Sequence, residues 1–131
     1  DSSHMVVLTD DNNNNNRSNS NYKPTRNNIF KAMQWLVQGV ARGDVLFFHF
    51  SGHGAQVPDR TGIERDGLNE TIVPVDCHTG SGQITDDELW GSLVYPLPAG
   101  VRLTALMDCC HSGTGLDLPY TKTSKHKKKS M

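Results

Sequence analysis

Residues 101–113 read Val-Arg-Leu-Thr-Ala-Leu-Met-Asp-Cys-Cys-His-Ser-Gly, an apolar run of strand formers that ends in a cluster of reactive side chains. Pro98-Ala99-Gly100 stands before it and Ser112-Gly113 closes it. A run of that length with those boundaries predicts a buried strand of a parallel sheet. Asp108, Cys109, Cys110 and His111 then fall at its carboxyl end, where open α/β sheets place their ligands and chemistry. A thiol at that edge is a candidate nucleophile, and it needs a base to make its thiolate.

A second segment ends in the same way. Residues 44–54 read Asp-Val-Leu-Phe-Phe-His-Phe-Ser-Gly-His-Gly, with a strand expected over 45–50 and an exit through Ser51-Gly52-His53-Gly54. Two such strands side by side bring His53 and Cys110 to one edge of the sheet. A Cys and a His far apart in sequence and close in the fold make a nucleophile and base pair. Gly52 and Gly54 allow a tight turn and close approach of backbone to a ligand.

Ser51-Gly52-His53-Gly54 together with Asp108-Cys109-Cys110-His111-Ser112-Gly113 resembles the catalytic pair of the metacaspases, caspase-like cysteine peptidases. Further matches follow in the family's order: Pro24-Thr25-Arg26-Asn27-Asn28-Ile29, Gly43-Asp44-Val45-Leu46-Phe47-Phe48-His49, Val73-Pro74-Val75-Asp76, Asp86-Asp87 and Leu116-Asp117-Leu118-Pro119. The resemblance is to the large, p20-like part of the catalytic domain. It implies a caspase-like (caspase-hemoglobinase) α/β fold, with a mainly parallel central sheet flanked by helices. The fold is expected to be incomplete, because the family's first strand and its p10-like small part have no counterpart here. A p20-like domain is expected over 1–120, and a basic flexible tail over 121–131.

What the resemblance implies for the site is specific. Cys110 is the nucleophile, since the family's active Cys directly precedes His-Ser-Gly. His53 is the general base and acid. The backbone N–H groups of Gly54 and Cys110 form the oxyanion hole. Asp108, with Ser51 beside it, takes the Arg or Lys before the cut through charge-assisted hydrogen bonds. Asp1, in a segment resembling the start of a family helix, is a further pocket residue. Cys109 is an apolar filler, and His111 supports the loop.

The family's activating Ca²⁺ site places ligands at Asp86, Asp87, Asp117 and position 69. This chain has Asn69 there, which keeps a carbonyl oxygen and loses a charge; Glu70 beside it is a candidate substitute. No organic cofactor is expected. A zinc site from Cys77, His78, Cys109, Cys110, His111 and His53 lacks the usual pairs of cysteines two to four residues apart.

Composition sets the remaining bounds. The 131 residues fit one domain, and 35% are hydrophobic with a net charge of −1. Nothing in that balance points to nucleic acid or an anionic membrane. The apolar runs fall short of the roughly 18 residues that span a bilayer, and no secretory signal is visible. Three cysteines, two of them adjacent, do not make a disulfide framework, so a reducing, cytoplasmic setting is expected. The chain is expected to act as a monomer on peptide and protein substrates.

Local patterns fill in the rest. Residues 6–9 are a short strand candidate, and the Asn-rich stretch 12–21 is a loop. Thr25 caps a helix carrying Ile29, Phe30, Met33, Leu36, Val37 and Val40 at helical spacing, stopped by Arg42-Gly43. Residues 56–70 read as loop, 71–75 as a third strand and 79–82 as a turn. Thr85 caps a helix from Asp86 to about Val94, with acids in its first turn. Lys125, Lys127, Lys128 and Lys129 offer sites for self-cleavage. The competing reading is an inactive or regulatory homologue that binds partners without cutting.

Overall fold

The computed structural model describes residues 2–11, 20–58 and 67–109. Helix α1 spans Arg26–Val37. Thr25 caps it as expected, its hydroxyl accepting the N–H of Asn28 at 3.2 Å. The inward face carries Ile29 and Met33 into the core. The helix stops earlier than Arg42-Gly43, because Gln38 turns extended and Gly39 takes a φ of 69°, a conformation that carries the chain off the helix axis.

Strands β1, Val45–Ser51, and β5, Arg102–Asp108, pair in parallel from Val45 opposite Arg102 to Ser51 opposite Asp108. Both expected strands are present. Their side chains alternate: Phe48, Phe50, Leu103, Ala105 and Met107 pack against the core. Val45, Phe47 and Leu106 point outward and are exposed. Burial on both faces was expected; among the described residues only one face is covered.

Strands β2, Gly54–Pro58, and β3, Leu68–Ile72, form an antiparallel pair, and the short β4, Ile84–Thr85, adds to the other edge of β3. Both ends of the stretch expected to be loop, 56–58 and 68–70, are therefore strand, and 59–66 lie outside the described residues. The third strand begins and ends three residues earlier than 71–75. Its inward positions include Asn69 and Thr71, both buried, so it lacks the apolar alternation that marks a strand. Pro74 cannot donate to a ladder and limits the strand's far end.

Helix α2 spans Asp86–Leu93 and opens on a capping box: Thr85 accepts the N–H of Glu88, and the Glu88 side chain accepts the N–H of Thr85. Its Leu89 and Leu93 join Ile29, Met33, Ile72 and Ile84 in the buried core. A single 3-10 turn, Ser2–His4, stands where a helix start was expected. Residues 6–9 form no strand; Thr9 donates its N–H to the Tyr22 carbonyl at 2.9 Å, and Leu8 leans on the core. The whole is an α/β structure with a parallel pair and flanking helices, consistent with a caspase-like fold. Among the described residues no helix is long and apolar enough to cross a membrane.

Candidate active site

The parallel register brings Ser51 and Asp108 together at the carboxyl edge of β1 and β5. The Ser51 hydroxyl donates to Asp108 Oδ2 at 3.4 Å. The Gly52 N–H donates to the Asp108 carbonyl at 3.2 Å, so the strands stay joined one step past the last pair. An added Cβ at Gly52 would stand 3.0 Å from the tip of the Phe50 ring, so a side chain at this bend would have to push that ring aside. His53 follows at once, exposed, with its carbonyl accepting the Val73 N–H at 2.9 Å. That bond ties the turn to β3. Gly54 then opens β2 opposite Ile72.

On β5, Cys109 follows Asp108 and packs against the core, as expected of a side chain pointing away from the edge. Cys110 lies outside the described residues, as do Asp1, Asp117, His111 and the basic tail. The described part of the site is thus Ser51, His53, Gly54 and Asp108, all at one sheet edge.

A second group lies where β3 and β4 meet α2. Thr71 pairs with Thr85, the N-cap of α2, and Asn69 shares the face of Thr71 by strand alternation. Asn69 is 8% exposed, and its Oδ1 is buried without a hydrogen-bond partner. Asp86, in the first turn of α2, is 1% exposed. Its Oδ1 accepts the Asp87 N–H at 2.9 Å; Asp87 itself is exposed. A buried amide oxygen left without a donor and a buried carboxylate suit a hard cation that takes oxygen ligands.

Glu70, the candidate substitute, lies on the opposite face of the strand by alternation; its Oε1 accepts from Gln56, its cross-strand partner, at 3.1 Å, and its Oε2, like Asn69 Oδ1, is buried without a hydrogen-bond partner. Among the described residues no three His, Cys, Asp or Glu side chains cluster closely enough to hold a metal. The zinc grouping is not assembled there. A calcium site would need Asn69, which is not of those types, and Asp117, which lies outside the described residues.

A family model described as "Metacaspase, peptidase C14 domain" matches residues 1–119. The chain belongs to the metacaspase family. It is 54% identical over 120 residues to Metacaspase-1 of Mycosarcoma maydis, covering 92% of this chain and 28% of that protein. It is 53% identical over 121 residues to Metacaspase-1 of Schizosaccharomyces pombe, covering 92% of this chain and 27% of the relative. The chain thus spans a little over a quarter of these relatives' length. Among solved structures, protein GSU0716 from Geobacter sulfurreducens matches with a TM-score of 0.56 and 38% identity, over 70% of this chain and 32% of that one.

Reading the metacaspase sequence alone missed one set of residues. Arg26 donates through its backbone N–H to Asp76 Oδ1 at 2.9 Å. Through its guanidinium it bonds Glu88 and the Gln83 carbonyl. The guanidinium pKa is raised, chiefly by the Glu88 hydrogen bond. The Asp76 carboxyl is held below its ordinary range, chiefly by the Arg26 N–H. For Glu88, burial pushes the pKa up, but Arg26 and the Thr85 N–H outweigh it and the net direction is down. The signal available in sequence was Arg26 itself: a cation in the first turn of a helix, where the dipole disfavours it.

Proposed function

We propose that this metacaspase domain supplies the catalytic half of a cysteine endopeptidase that cuts after Arg or Lys. The observation that carries the reading is the parallel register of β1 and β5, with Ser51 opposite Asp108. It puts the strand leading to His53 beside the strand leading to Cys110.

In this reading the Cys110 thiolate attacks the scissile carbonyl carbon. The backbone N–H groups of Gly54 and Cys110 stabilise the oxyanion. His53 donates its proton to the leaving amine, which departs and leaves a thioester. His53 then takes a proton from water, whose oxygen attacks the thioester carbon; the carbon–sulfur bond breaks, the carboxylic acid leaves, and the Cys110 thiolate is regenerated beside protonated His53. Asp108 holds the guanidinium or ammonium of the substrate, with Ser51 fixing one carboxylate oxygen. Asp1 belongs to the same pocket in the family pattern.

Asn69, Asp86, Asp87 and Asp117 would hold an activating Ca²⁺. Bound there, the ion supplies charge that offsets the buried Asp86 and a partner for the Asn69 oxygen. Loss of one carboxylate at position 69 lowers the site's charge, and a weaker calcium requirement follows. Lys125, Lys127, Lys128 and Lys129 are the proposed self-cleavage sites. A p10-like part completes the cleft, the working unit is a monomer, and a reducing compartment such as the cytoplasm suits the thiols.

The test is hydrolysis of a fluorogenic peptide ending in Arg, with and without calcium, in the intact protein, beside Cys110→Ala and Cys109→Ser. Turnover lost in Cys110→Ala and largely kept in Cys109→Ser is expected. Activity surviving in Cys110→Ala removes the nucleophile assignment. A folded protein with no turnover favours the partner-binding homologue instead.

A further inference from the structure

Arg26 is the first residue of α1, an unfavourable place for a cation when only its own helix is considered. Its guanidinium leaves that helix and passes over the Phe30 ring, 4.9 Å from the centroid. It donates to both carboxylate oxygens of Glu88, at 3.2 Å to Oε2 and closer to Oε1. It also donates to the Gln83 carbonyl at 2.6 Å. These two partners bracket the stretch that matters. Glu88 Oε2 accepts the Thr85 N–H at 3.0 Å, and Thr85 Oγ1 accepts the Glu88 N–H at 3.2 Å. Asp86 and Asp87 lie between these two capping residues. On the other side, the Thr71 hydroxyl donates to Gln83 Oε1 at 2.5 Å, on the face of β3 that also carries Asn69.

One guanidinium therefore grips both sides of the turn that presents Asp86 and Asp87. A simple ion pair for stability would not need this arrangement, since half-exposed pairs contribute little. We infer that Arg26 is a positioning residue for the cation site formed by Asn69, Asp86 and Asp87, acting through Glu88 and Gln83. The inference rests on the calcium reading above. With the first turn of α2 held in place, the ion does not have to order its own ligands, and affinity rises accordingly. Lysine cannot replace this grip, because one ammonium cannot span both Glu88 oxygens and the Gln83 carbonyl.

The experiment is calorimetric titration of the intact protein with Ca²⁺, together with the calcium-induced rise in Tm. The variants are Asp86→Asn, Arg26→Met, Arg26→Lys, Glu88→Gln and the double variant Arg26→Met/Glu88→Gln. Wild type is expected to bind and Asp86→Asn not to. Arg26→Met and Glu88→Gln should each weaken binding about tenfold, the order seen when residues supporting metal ligands are removed. Arg26→Lys should fall between. The double variant should be no weaker than the worse single, because both act through one contact. A purely structural role would lower Tm equally with and without calcium; positioning shrinks the calcium-induced rise itself. Wild-type affinity in folded Arg26→Met or Glu88→Gln overturns the inference and leaves the calcium reading standing. No binding by wild type, or binding indifferent to Asp86→Asn, overturns both. Should Arg26→Met fail to fold, Glu88→Gln, which keeps the side chain's size and one acceptor oxygen, decides alone.

Discussion

Ser51 and Asp108 differ in what they can give to a substrate. Their mutual hydrogen bond is long, 3.4 Å, near the limit at which such contacts still count. Ser51 therefore fixes the carboxylate loosely, and under the proposed specificity for Arg or Lys the charge on Asp108 would carry the recognition of the cationic side chain. Asp108→Asn keeps the shape and removes that charge. It is expected to lower kcat/KM for a peptide ending in Arg about 100-fold or more, as when a charged pair loses one member. Ser51→Ala is expected to cost about tenfold or less, the worth of one neutral hydrogen bond. Equal losses from the two variants would place the recognition elsewhere. This pair was legible in the sequence because each residue ends a recognisable apolar run. Asn69 was legible only as a departure from a pattern. That its oxygen is buried and unpartnered depends on the packing of β3 against β4 and α2, which no local signal reports.

The elements divide by the range of the forces that set them. Thr25 and Thr85 were readable as caps because capping acts within three residues. The capping role of Asp76 was not, because its partner, the N–H of Arg26, stands 50 residues away. This contact sets a pH dependence. The folded Asp76 carboxyl titrates below its ordinary value, about 3.9 in the unfolded chain, chiefly because of the Arg26 N–H. The unfolded state therefore binds its proton first as pH falls. The contribution is fully present above about pH 4 to 5 and is lost as pH drops through the folded pKa. Asp76→Asn is expected to lower Tm by a few degrees at pH 7, and the gap to wild type should narrow steadily in melts taken at pH values progressively below the unfolded value. A gap that stays constant across that range would show that the charge plays no part. The hairpin of β2 and β3 escaped the sequence for a related reason. Its strands are five residues each, and polar Asn69 and Thr71 occupy inward positions.

Among the described residues one small buried core holds the elements together, and side chains of both sheets pack in or against it. Ile29 and Met33 come from α1, Ile72 from β3, Ile84 from β4, and Leu89 and Leu93 from α2. The α/β class was readable because apolar runs and helical spacing report it directly. The division into a parallel pair and a separate three-stranded antiparallel sheet was not, because strand partners are chosen by long-range packing. Among the described residues the same geometry leaves the outward face of β1 and β5 exposed, with Val45, Phe47 and Leu106 standing among polar side chains; Phe47 is 60% exposed, while Met33 is fully buried. Two substitutions separate these environments. Met33→Ala leaves a cavity among side chains from four elements and is expected to cost about 2 to 5 kcal/mol in urea unfolding. Phe47→Ser removes a larger side chain, but mostly from water, and is expected to cost below about 1 kcal/mol. Should Phe47→Ser shift the urea midpoint as far as Met33→Ala does, the outward face is covered in solution, and the core extends across both sides of the parallel pair.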